Sequence, residues 1–104
     1  MNMVKYNIAM QTPVGLRRGV INLCKVENQV SGTIDLLGHS KPFEGYVDDE
    51  GNCRITGCII TLMNTIQFRA EGIVKPSRID LKMYCEKNIF RLSGVAIEES
   101  EVMA

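Results

Sequence analysis

Five stretches of this chain set a glycine at the centre of an apolar pentapeptide: VSGTI, FEGYV, ITGCI, AEGIV and LSGVA. In each, the first, third and fifth positions share one face of an extended strand. The glycine therefore sits where a buried side chain would be expected. Elsewhere the chain alternates in the same way. Val4, Tyr6, Ile8 and Met10 stand against Lys5, Asn7 and Ala9, and Ile79, Leu81, Met83 and Cys85 against Arg78, Asp80, Lys82 and Tyr84. A period of two with one apolar face is the pattern of strands buried on one side and wet on the other. No long segment carries a period of 3.6.

This pattern predicts eight strands, at about 3–11, 18–26, 29–37, 42–48, 53–62, 66–75, 78–85 and 89–98. The breaks QTPVGLR, ENQ, LGHSKP, DDEGN, MNT, KPS and EKN carry turn residues, and all three prolines fall among them. Connections this short make sequential neighbours pair antiparallel, as an up-and-down meander. An open meander exposes two edges, and closure removes them. The expected fold is a single all-β, eight-stranded antiparallel barrel over residues 1–104, with an acidic tail at 99–104.

Six glycines, at 19, 32, 45, 57, 72 and 94, fall inside strands on the apolar face. Each forgoes roughly 1.5–3 kcal/mol of side-chain burial and adds about 0.5–1 kcal/mol of backbone entropy cost. Two causes fit. Glycine lets strongly coiled strands bend around a narrow barrel, or its missing side chain leaves a cavity.

The eight-strand meander with hydrophobic-x-Gly-x-hydrophobic strands resembles the calycin-type barrels, which include lipocalins, fatty-acid-binding proteins and avidins. It is most similar to small bacterial barrels of that type. The resemblance runs over about residues 3–98 and implies a barrel that often binds small molecules. It transfers no ligand and no binding residue. The chain has no tryptophan for a lipocalin Gly-x-Trp motif, no two-helix lid and no aromatic biotin cage.

Lysine plus arginine equals aspartate plus glutamate, at 12 each, so no broad positive field draws in nucleic acid. No apolar run is long enough for a membrane-spanning helix, and the N-terminus alternates; a cytoplasmic location is expected. The four cysteines form no CxxC and no cluster with the single histidine, which points to free thiols, with no metal site and no cofactor.

Loop parity separates the charges into two poles. One end collects Arg17, Arg18, His39, Lys41 and Lys87 against Glu86, with Asn64. The other collects Glu27, Asp48, Asp49 and Glu50, with the tail acids Glu98, Glu99 and Glu101. The interior is apolar and includes Tyr6, Phe43, Phe68 and Phe90; only Tyr6, Thr61 and Cys85 offer inward polar atoms. The expected function is non-catalytic binding of a small, mostly apolar or anionic amphiphilic ligand inside the barrel. Arg17, Arg18, His39, Lys41 and Asn64 form the rim, and Tyr6, Phe43, Phe68 and Phe90 the wall. The alternative is a structural or assembly domain with a filled core. Outer apolar rows at Val20, Cys24 and Val26, at Cys58, Ile60 and Leu62, and at Val95 and Ile97 suggest a homodimer. His39, Ser40 and Lys41 are adjacent in sequence, but catalysis would need them aligned, and no catalytic residue is assigned.

Overall fold

The computed structural model describes residues 2–13, 15–60 and 64–97. These form eight antiparallel strands: β1 (Asn2–Thr12), β2 (Gly15–Val26), β3 (Gln29–Leu36), β4 (His39–Val47), β5 (Asn52–Ile60), β6 (Thr65–Val74), β7 (Arg78–Cys85) and β8 (Ile89–Ala96). Each pairs with its sequence neighbours. The ladder from Tyr6↔Ala96 to Gln11↔Arg91 joins β1 to β8 and closes the barrel.

Two strands start earlier than the sequence pattern suggests. β2 begins at Gly15, so Arg17 joins Arg18 in the strand and does not belong to the preceding loop. β4 begins at His39, which makes Pro42 a strand residue instead of a turn residue. A proline is tolerated there because its carbonyl faces Gly57 on β5, and the β4–β5 ladder starts only at Phe43↔Gly57. The absent N–H falls where no ladder bond is made. Thr61, Leu62 and the tail acids lie outside the described residues.

The inner wall is a continuous apolar cluster that includes Tyr6, Ile21, Leu36, Ile59, Ile79, Leu81, Met83 and Leu92, each at most 2% exposed. The six strand glycines belong to this wall, and each stands in register with two inward residues. Gly32 lies between Leu23 and Phe43, and Gly57 between Phe43 and Phe68. A Cβ at Gly19, Gly32, Gly45, Gly72 or Gly94 would fall on a backbone carbonyl oxygen of the adjacent strand. That carbonyl precedes the partner residue, which marks a non-hydrogen-bonded pair, the closer of the two antiparallel pair types. At Gly57 a Cβ would meet Pro42 O at 2.9 Å and Phe43 Cβ at 3.0 Å. Neighbouring backbone therefore takes the place of the missing side chains, as strand coiling in a small barrel requires.

The outer wall has two unlike halves. Outward positions of β5–β8 carry Arg54, Arg69, Glu71, Arg78, Asp80, Lys82 and Arg91. Several are partnered within that half: Arg54 with Glu71 at 2.9 Å, Arg91 with Asp80 at 3.4 Å, and Arg69 over the Tyr84 ring at 5.1 Å. Outward positions of β1–β4 carry only Lys5, Arg18, Asp35 and Glu44 as charges.

Candidate functional site

The two ends of the barrel are built differently. At the acidic end, the loop between β4 and β5 is tied down. Asp48 Oδ1 accepts from the backbone N–H groups of Glu50 and Asn52, both at 2.9 Å, and Oδ2 accepts from Asn52 Nδ2 at 3.0 Å. The Asn52 side-chain donor, helped by the backbone donors, holds the Asp48 carboxyl below the usual carboxylate value. Gly51, at φ +95°, makes the turn and is buried; its carbonyl accepts from Val74 N–H at 2.8 Å. Lys75 Nζ donates to Glu50 O at 2.9 Å, and Tyr6 Oη donates to Lys75 O at 2.8 Å. A loop, a strand end and an inward tyrosine thus interlock over this end of the core.

Cys53 lies on the inner wall beside this latch, 5% exposed, although the sequence pattern alone does not single it out as an inward polar group. Burial pushes its thiol up from 9.0 to about 11. Burial, then the Cys53 charge, raises Tyr6 as well. A raised folded-state value favours the neutral thiol, so this stability is complete below pH 9 and is lost as pH rises from 9 toward 11. Urea midpoints should hold steady up to about pH 9 and then decline. Cys53→Ala should flatten the first part of that decline, and an unchanged profile would remove the thiol as its cause.

At the basic end, register decides where each predicted rim residue points. Arg17 stands opposite Met10, His39 opposite Leu36, and Lys41 opposite Ile34, so all three occupy the inner-wall register. Arg17 and Lys41 are half-buried and His39 is exposed. Among the described residues, no acidic side chain is paired with any of them. Arg18 is one residue out of phase. It pairs with Ala9 and lines a shallow depression on the outer wall with Asn7, Arg78 and Asp80. Ser40, opposite Asp35, also faces outward. Strand alternation therefore separates Ser40 from His39 and Lys41. Tyr6 belongs to the latched end, while Phe43 and Phe68, each 4% exposed, are packed core. Phe90, at 9%, lies near the basic mouth.

A groove of about 700 Å³ opens at this same end, lined by Asn64, Ile66, Gln67, Cys85, Glu86 and Lys87 among others. It arises from the stagger of the strands. The β6–β7 ladder stops at Phe68↔Cys85, so Thr65–Gln67 of β6 has no β7 partner, while Cys85 N–H donates to Asn88 O at 2.8 Å to close the β7–β8 turn. Ile66 and Cys85 are inner-wall residues, so the groove reaches the upper edge of the core. Burial raises the Cys85 thiol above its ordinary value. Of the predicted rim, Asn64 lies in this groove. Arg17 and Lys41, on β2 and β4, lie across the mouth from it in the strand order. Among the described residues, no group of three His, Cys, Asp or Glu side chains is placed to hold a metal ion.

No protein-family model matches the chain, and no curated protein matches it.

Proposed function

We propose that the protein binds a small anionic amphiphile, without catalysis, at the basic mouth of the barrel, as a calycin-type binding protein of the cytoplasm. The observation that carries this reading is the contrast between the ends. One is latched by Asp48, Lys75 and Tyr6; the other opens as a groove to Ile66 and Cys85, with Arg17 and Lys41 across the mouth. An apolar tail would lie in the groove and an anionic head would reach the two cations. Backbone occupies the positions of the six glycines, so this reading places the ligand at the mouth and not along the barrel axis. Apolar burial supplies most of the affinity, and partly exposed cations add only about 0–1 kcal/mol each while setting orientation.

Dodecanoate and methyl dodecanoate are suitable probes, with iodoacetamide alkylation of Cys85, read by mass spectrometry, as the reporter. Dodecanoate should slow alkylation of Cys85 and leave that of Cys24, on the outer wall, unchanged. Lys41→Glu should weaken the acid about fivefold and the ester little, in line with a contribution near the top of the exposed ion-pair range. Unprotected Cys85 at saturating acid, or equal losses for acid and ester, would rule the reading out.

A further inference from the structure

The outer wall of β1–β4 has a composition that the mouth does not explain. We propose that this half of the barrel is the contact face for a second copy of the chain, with the two barrels antiparallel across a two-fold axis.

Three observations lead there. The first is where the apolar side chains are exposed. Met3 (74%), Val26 (52%) and Tyr46 (50%) stand on the β1–β4 wall, with Leu16 and Leu37 exposed at its basic end, whereas the β5–β8 half exposes Ile89 and Val95, both on β8. In register, Met3 adjoins Cys24, and Val26 and Tyr46 flank Gln29. Val26, Gln29 and Tyr46, together with Cys24, Ser31 and Glu44, surround a depression over Gly45 of about 490 Å³, into which a facing side chain fits.

The second is charge. The opposite half holds paired, solvated charges, as exposed strand faces usually do, whereas interface centres are depleted of them. The third is polarity along the barrel axis. On and around the β1–β4 wall, Arg17, Arg18 and Lys41 outnumber Asp35 toward one end, and Glu27, Asp48, Asp49 and Glu50 outnumber Lys5 and Lys25 toward the other. A two-fold axis perpendicular to the barrel sets the basic end of each copy beside the acidic end of its partner. A parallel arrangement would oppose like charges instead. A stable interface needs about 800 Å² from each partner, roughly one-ninth of the 6873 Å² surface, and β1–β4 make up four of the eight strands of the barrel.

This assigns the contact to a different face from the β8 row of Val95 and Ile97, where Val95 is exposed beside Arg78 and Asn7.

Sedimentation velocity on the full chain tests the proposal. The wild type should form a dimer at sub-millimolar concentration. Tyr46→Lys should weaken it about thirtyfold, the scale of a central contact residue. Val26→Lys serves as a second variant at an equally exposed site, and Val95→Lys on the other half should leave the dimer intact. Circular dichroism should show all three folded. Arg18→Glu should weaken self-association, and mixing it with Asp49→Arg should restore a heterodimer, with less restoration at high salt. A monomeric wild type would overturn the proposal, as would a dimer broken by Val95→Lys but not by Tyr46→Lys or Val26→Lys. Failure of the charge swap would overturn the antiparallel arrangement.

Discussion

Gly32→Ala should cost about 3 kcal/mol of folding stability, at the top of the range for overpacked cores. The added Cβ would land on the carbonyl oxygen of Asn22, with Asn22 C at 2.9 Å and Leu23 Cα at 3.2 Å. All three are backbone atoms of β2, so no rotamer change relieves the clash. Either β2 and β3 separate, breaking the ladder around Leu23↔Gly32, or the strands lose their coil. Net stabilities of single domains are about 5–15 kcal/mol, so one methyl group removes a large part of the total. Gly38 provides the control. It lies in the β3–β4 turn at φ +81° with nothing within 4 Å of a Cβ. Gly38→Ala therefore carries only the left-handed backbone cost, about 1–2 kcal/mol. Denaturant midpoints of the two variants should differ clearly. If Gly32→Ala proves as mild as Gly38→Ala, or stabilises the protein, the inward glycines leave empty space and do not admit backbone.

What the sequence discloses, and what it conceals, follows from which interactions are local. Alternation is local, so β3 and β7 are legible almost to the residue: 29–37 expected against Gln29–Leu36, and 78–85 against Arg78–Cys85. Closure was legible because eight short-linked strands leave edges that only a barrel removes. The starts of β2 and β4 were not. Gly15 and Pro42 look like turn residues, and whether a proline breaks a strand depends on where the next ladder begins, a tertiary fact. That misplacement also hid the orientation of the rim. Grouped at one end by loop parity, Arg17 and Arg18 act together. Once both are in β2, alternation sends one inward and one outward. The groove was the least legible feature. It depends on the β6–β7 ladder ending at Phe68↔Cys85, and nothing local in either strand sets that offset.

Phe68→Ala should be about as damaging as the glycine substitution, by the opposite mechanism, costing about 3–5 kcal/mol. Phe68 is 4% exposed and stands in register with Gly57 on β5 and Cys85 on β7. Its Cζ lies 3.2 Å from where a Gly57 Cβ would be, so the ring covers the bare backbone of its neighbour. Truncation opens a void over Gly57, on the side away from Phe43, and the coiled strands around it are already held close by their glycines and cannot collapse to fill it. Two measurements separate this account from a generic core loss. Cys85 stands beside Phe68 at the head of the groove, so iodoacetamide should reach it faster in Phe68→Ala while Cys24 on the outer wall keeps its rate. The second is a double-mutant cycle. Gly57→Ala alone is overpacked against Pro42 O, Phe43 Cβ and the Phe68 ring. With the ring removed, one of those three contacts is gone and the new methyl occupies part of the void. Gly57→Ala should therefore cost less in the Phe68→Ala background than in the wild type, by about 1 kcal/mol, within the usual range for coupled neighbours. Strict additivity would mean that Phe68 packs on the far wall of the core and leaves the glycine uncovered.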